Sequence, residues 1–122
     1  MHDFASEPLL DPEQIAQLRE ALGPEDLGPM LAELSPQALL SLETIETALA
    51  ADDLDQSRRA AHVLKGFASS FGAARLAAIA RDIELVCPSV TAIRRCMPAL
   101  VATIEATAAA IGELAATAGA DA

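Results

Sequence analysis

A histidine, a lysine, a glycine and a serine recur at helical spacing in the segment 62–73. Lys65, Gly66 and Ser69 follow His62 by three, four and seven residues, so on a helix all four positions share one face. A neutral imidazole nitrogen is a nucleophile, and an unperturbed histidine titrates near ~6.5. An ammonium group one turn away suits the negative oxygens of a phosphoryl group. The pattern predicts that His62 attacks phosphorus while Lys65 neutralises charge.

The other residues of this face support the same chemistry. Gly66 leaves room for another protein's backbone beside the histidine, although glycine in a helix costs roughly 0.5–1 kcal/mol relative to alanine. Ser69 is placed to bond the second ring nitrogen or a phosphoryl oxygen. Arg58 and Arg59 add positive charge at the rim. Spacing alone fits a solvated histidine–lysine pair equally well, and the glycine is what favours a function.

Proline, glycine, serine and aspartate divide the chain into helical segments, and no alternating strand pattern is present. We predict an all-α fold, an antiparallel four-helix bundle with a short additional N-terminal helix across one end. Pro36 should interrupt or kink the helical arm of the bundle that residues 24–51 form. Pro98 should bend or split the last helix. The predicted helices cover residues 12–22, 24–34, 35–51, 54–71, 73–86 and 89–118. The whole chain, 1–122, is predicted to be one domain, with frayed ends at 1–8 and 119–122.

A helical wheel of the predicted central helix, residues 54–71, separates two surfaces. One is a core arc. The other carries His62, Lys65, Gly66 and Ser69 and is called the histidine face below. His62 lies opposite the core arc and should therefore point to solvent or to a partner. The residues of the core arc are Leu54, Ser57, Ala61, Leu64, Ala68 and Phe71.

Charge and composition exclude several classes of partner. The chain has 8 Lys and Arg against 18 Asp and Glu, a formal net charge of -10, and it has no Trp or Tyr. This argues against nucleic acid or an anionic membrane as the main partner. The N-terminus shows no signal-peptide pattern, and no uninterrupted apolar run reaches the ~20 residues of a membrane span. We therefore expect a cytoplasmic monomer.

The sequence offers little for a metal or a bound cofactor. Cys87 and Cys96 fit no familiar metal-ligand spacing and are interpreted as two packed thiols. His2 stands in the N-terminal tail, and the position four residues after His62 is a glycine rather than a second ligand. We expect no metal and no cofactor held by this chain.

The run His62-Val63-Leu64-Lys65-Gly66, followed by Gly72-Ala73 and Leu76, resembles the signature of histidine-containing phosphotransfer (HPt) domains. Ala61 and Glu84 also fit that pattern. The resemblance implies that His62 is the phospho-acceptor and that Lys65 and Gly66 support it. Phe67 stands where the family often has a small polar residue, and this difference implies a role in partner choice. The break at Ser35-Pro36 falls where the family often has one continuous helix.

The resemblance also implies the partners. A receiver-domain aspartate would donate the phosphoryl group and another would accept it, in the phosphorelay of two-component signalling, and one receiver could belong to a hybrid histidine kinase. The receiver would supply Mg²⁺ and the carboxylate. This chain would supply the nucleophile, without ATP-binding or autokinase machinery of its own.

Two other interpretations stay open. The dimerisation domain of a sensor histidine kinase commonly has an acidic residue after its histidine, whereas Val63 follows here, and the chain has no Gly-rich phosphate loop. A helical bundle could instead bind a receiver and inhibit it without transfer. An acid-labile, alkali-stable phosphate would distinguish transfer through His62 from that second interpretation.

Overall fold

The computed structural model describes residues 4–120, with side chains as far as residue 116. The described part of the chain is helical and contains no strand, which confirms the all-α prediction. A 3-10 turn at Phe4–Ser6 precedes six α-helices. They are α1 (Pro12–Leu22), α2 (Pro24–Leu31), α3 (Leu34–Ala50), α4 (Leu54–Ser70), α5 (Ala74–Leu85) and α6 (Val90–Ala120).

Local sequence signals set the helix starts. The Asp11 side chain accepts hydrogen bonds from the backbone N–H groups of Glu13 and Gln14, and Pro12 occupies the first turn of α1. The Asp53 side chain caps α4 in the same way. These side chains satisfy donors that the first turn of a helix leaves free. The predicted starts of both helices are therefore explained by their caps.

The four helices α3 to α6 form the bundle. Each of them contacts the next along the chain, and α6 contacts α3, which closes the ring around one core. The core arc predicted for α4 faces inward: Leu64 and Ala68 are fully buried, whereas Leu54 at the helix start is only half-buried. The largest buried side chains of the partner helices are Leu34, Ile45, Leu76, Ile79, Ile83, Ile93 and Leu100.

Three boundaries differ from the sequence-based expectations. The break between α2 and α3 lies at residues 32–33 and not at Pro36. Pro36 lies in the first turn of α3, where a backbone N–H has no partner within the helix, so the proline does not interrupt it. Pro98 lies inside α6, which continues through it. The predicted helix 73–86 ends one residue earlier, at Leu85, and Val86 follows α5 with 65% of its surface exposed.

Residues 7 and 8, part of the stretch 1–8 for which fraying was predicted, contact α5. The backbone N–H of Arg75 donates to the Pro8 carbonyl at 2.9 Å, and its guanidinium Nε donates to the Glu7 carbonyl at 2.9 Å. These bonds fix residues 7 and 8 against α5. Residues 1–3, with His2, and residues 121–122 lie outside the described residues.

The first helix packs across one end of the bundle, at the turn between α4 and α5. The Asp11 N–H donates to the Gly72 carbonyl at 2.8 Å, and the Gln14 amide donates to the Ser69 carbonyl at 2.6 Å. Gly72 has φ +76°, a conformation that costs other residues roughly 1–2 kcal/mol. This glycine lets the chain reverse directly after the histidine helix.

We expect Gly72→Ala to lower the free energy of unfolding by about 1–2 kcal/mol, since alanine is strained at positive φ. An added Cβ would also stand 3.4 Å from Ile15 Cδ1. Denaturant melts measure the change. Gly112→Ala is the matched control, because its Cβ would meet nothing within 4 Å and the helix should gain up to ~1 kcal/mol. Equal changes in the two variants would contradict this role of Gly72.

One helix has the length and composition that a membrane span requires. The stretch Val90–Ala116 of α6 passes that test, with 28% of its most apolar window buried inside the bundle. The core helix of a soluble protein passes the same test. Here Ile93, Leu100 and Ile111 of this helix are buried in the bundle core.

Candidate functional site

His62 lies on the outer face of α4 and is contacted by one residue of α5. Its side chain is 67% exposed, whereas Glu84 of α5 is only 13% exposed and Lys65 is intermediate. His62 Nδ1 lies 2.6 Å from Glu84 Oε2, and Lys65 Nζ lies 2.5 Å from Glu84 Oε1. A single carboxylate therefore holds both the histidine and the lysine.

The charge state of Glu84 follows from these two contacts. The hydrogen bond from Lys65 lowers the pKa of the Glu84 carboxyl below its ordinary value, burial opposes this shift, and His62 adds to it. The ion cluster therefore stabilises the fold above pH 4.5, the ordinary pKa, and this contribution is lost as the pH falls through the lowered pKa. At neutral pH Glu84 is an ionised acceptor.

The ionised state of Glu84 determines which ring nitrogen of His62 carries the hydrogen. An ionised carboxylate only accepts hydrogen bonds, so Nδ1 must be the donor to Glu84. In a neutral ring the lone pair then belongs to Nε2. Because the His62 side chain is largely exposed, Nε2 is the nitrogen available to an incoming electrophile.

Gly66 and Ser69 both lie on the exposed surface of α4. A Cβ built on Gly66 would meet nothing within 4 Å, so the space beside the histidine is open. Of the two partners predicted for Ser69, a ring nitrogen or a phosphoryl oxygen, the nitrogen Nδ1 is occupied by Glu84, and the phosphoryl oxygen stays a prediction. Ser69 instead lines a separate hollow with Lys65.

A shallow hollow adjoins the histidine, formed by side chains on both sides of it on α4 and by Glu84 of α5. Its lining residues are Arg58, Arg59, His62, Val63 and Glu84. Arg59 is exposed, whereas Arg58 is half-buried and its Nη2 donates to the Cys87 carbonyl at 3.0 Å. Val63, which the sequence analysis gave no role, exposes 52% of its surface here. The hollow therefore combines one apolar contact with fixed positive charge.

Phe67 does not line this hollow. The ring is half-buried and packs against the bundle core. Its role in partner choice stays a prediction.

Glu84 fits the family pattern, but the sequence-based predictions gave it no role at the site. Its contact with His62 depends on how α5 packs alongside α4. His62 precedes Gly72 by ten residues and Glu84 follows it by twelve, so a tight antiparallel turn at Gly72 brings them to similar heights. That near symmetry about the turn is the signal that could have identified Glu84.

An exposed histidine on a helical bundle, held through Nδ1 by a carboxylate and flanked by a lysine and a glycine, is the arrangement of a histidine phosphotransfer module. The family model of the Hpt domain matches residues 29–117, and the chain belongs to this family. Its role is therefore histidine phosphotransfer in a phosphorelay. Domains of this family interact with receiver domains.

A solved structure supports the same assignment. The chain is similar to the crystal structure of histidine-containing phosphotransfer protein B (HptB) from Pseudomonas aeruginosa PAO1, with 26% sequence identity and a TM-score of 0.63. The similarity covers 93% of this chain and 94% of that chain. No curated protein matches the sequence with significance. The resemblance found in the sequence is confirmed.

Proposed function

We propose that His62 accepts a phosphoryl group from a receiver-domain aspartyl phosphate and passes it to the aspartate of another receiver. The observation that carries this proposal is the Glu84 bridge, which holds Nδ1 and leaves Nε2 exposed. A hybrid histidine kinase could carry the donor receiver. The direction of net flux depends on those partners.

The transfer step needs no base to deprotonate the attacking nitrogen, because Nε2 already carries a lone pair. Nε2 of the neutral ring attacks phosphorus, the P–O bond of the acyl phosphate breaks, and the aspartate leaves as a carboxylate. The Nδ1 proton stays between His62 and Glu84 throughout. Glu84 balances the positive charge that the ring gains, as a carboxylate beside a histidine does. The return step runs the same path backwards.

Charge neutralisation is divided between the two proteins in this proposal. Lys65 lies one helical turn after the histidine and supplies an ammonium for the phosphoryl oxygens, while the receiver supplies Mg²⁺ and the carboxylate. Little else is needed, because in-line phosphoryl transfer depends mainly on positioning and electrostatics.

The docking surface in this proposal is the histidine face itself. Val63 offers an apolar contact, Gly66 an open backbone and Arg59 a positive rim. Two unpaired thiols, Cys87 and Cys96, are consistent with a reducing compartment such as the cytoplasm, where we place the exchange.

The test is a label-transfer assay with a panel of phosphorylated receiver domains from the same cell. At least one receiver should give up its label to this chain rapidly, and the product should be acid-labile and alkali-stable. The alternative, a bundle that binds and inhibits receivers without transfer, predicts tight binding with no label on this chain. Binding of every receiver without transfer would reject the proposal.

Gly66 provides a separate prediction about docking. Gly66→Ala should leave the bundle intact or stabilise it by up to ~1 kcal/mol, because an added Cβ meets nothing. Gly66→Gln should also fold but weaken receiver binding, since its side chain would occupy the open space beside His62. Thermal melts and receiver titrations on the same proteins separate the effects. If Gly66→Gln unfolds the bundle, glycine serves packing and the docking surface is misplaced.

A further inference from the structure

Three metal-ligating side chains meet where α5 turns into α6, outside the set of residues that contacts the histidine. Asp82 lies near the end of α5, Cys87 in the following turn and Cys96 in the early part of α6. One ligand atom from each, a carboxylate oxygen and two sulfurs, lies within 4.8 Å of the others. Neither cysteine is in a disulfide.

The separation of the sulfurs suits a shared metal ion. The two Sγ atoms are 3.7 Å apart. Two thiolates bound to tetrahedral zinc at ~2.3 Å each have their sulfurs roughly 3.8 Å apart. A disulfide would instead need an S–S length of ~2.05 Å. In the metal-free structure this separation is that of a hydrogen bond between the two thiols, and a tetrahedral ion can take the place of the shared hydrogen with little movement of the sulfurs.

Arg58 supplies the countercharge that such a site needs. A divalent ion with two thiolates and one carboxylate carries a net charge of −1 by simple addition. The Arg58 guanidinium donates a hydrogen bond from Nη2 to the Cys87 carbonyl at 3.0 Å, which places its positive charge beside the ligand group. Its Nε–H is buried and has no acceptor among the described residues. An anionic metal cluster beside it would provide one.

We propose that Asp82, Cys87 and Cys96 form a binding site for a thiophilic divalent cation of the Zn²⁺ class. Water would complete the four ligands. Each thiol that binds releases its proton to solvent, so the charge and the protons balance without an oxidant. The inference goes beyond the proposed phosphotransfer, and its test does not use a receiver.

The experiment titrates the reduced 122-residue chain with Zn²⁺ against a chromophoric chelator, and with Co²⁺ as a spectroscopic probe. We expect one ion per chain, a thiolate-to-Co²⁺ charge-transfer band and a raised melting temperature. Cys96→Ser should weaken Zn²⁺ binding at least tenfold and remove most of the band. This cysteine is the better target because Cys87 belongs to the buried core.

Two further variants locate the ion. Asp82→Asn should also weaken binding, whereas His62→Gln should leave it unchanged, since His62 is outside the ligand group. No bound ion, no charge-transfer band, or Zn²⁺ affinity unaffected by Cys96→Ser would each overturn the proposal. Conversion of the metal-free protein to an internal disulfide in air, without Zn²⁺ binding in the reduced form, would overturn it as well.

Discussion

The His62→Gln protein is expected to acquire no phosphoryl label from any receiver that labels the wild type. Glutamine has no nucleophilic nitrogen, so the loss should be complete rather than partial. The fold should survive, because the side chain is largely exposed and the glutamine amide can still donate a hydrogen bond to Glu84. The measurement is single-turnover transfer of a radiolabelled phosphoryl group, with circular dichroism on the same samples.

The control for this experiment is the second histidine of the chain. His2→Gln should transfer at the wild-type rate, because the residues that fix the nucleophile all lie on α4 and α5. Receiver binding by His62→Gln should be retained, which would separate loss of chemistry from loss of docking. Label that persists on the His62→Gln protein would refute the assignment of the acceptor.

Much of the fold is predictable because its signals are local. Asp11 and Asp53 cap helices, Gly72 adopts positive φ, and the apolar spacing of α4 identifies the face that Leu64 buries. Val86 shows where apolar spacing fails to predict burial. The apolar periodicity of α5 continues to Val86, but this residue follows the helix, and the turn into α6 leaves its side chain exposed to solvent.

The part of the site that lies on a single helix is predictable from the sequence. The histidine, lysine and glycine share a face because helical geometry requires it, and the structure keeps them there. The role of Glu84 depends on a contact between two helices, and the packing of the half-buried Phe67 ring against the core depends on the neighbouring side chains. Both are tertiary effects that periodicity within a single helix does not specify.

Lys65→Ala is expected to slow single-turnover transfer by roughly ten- to hundredfold, with a smaller change in receiver affinity. A charged hydrogen bond is worth ~1.5–3 kcal/mol, and that is the size of the rate effect if the bond forms fully only in the transition state. Arg59→Ala is the matched control. It also removes a cation from the histidine face, but at the rim, so receiver affinity should fall more than the rate.

Lys65 can act on the phosphoryl group directly or through Glu84, which it contacts in the resting structure. The double variant with Glu84→Gln distinguishes these routes, because a neutral amide no longer needs the lysine to hold it. If Lys65 neutralises the phosphoryl oxygens, its removal slows transfer by a similar factor in both backgrounds. If it only positions Glu84, the effect of Lys65→Ala disappears once Glu84 is replaced. An unchanged rate for Lys65→Ala in the wild-type background would remove the lysine from the mechanism altogether.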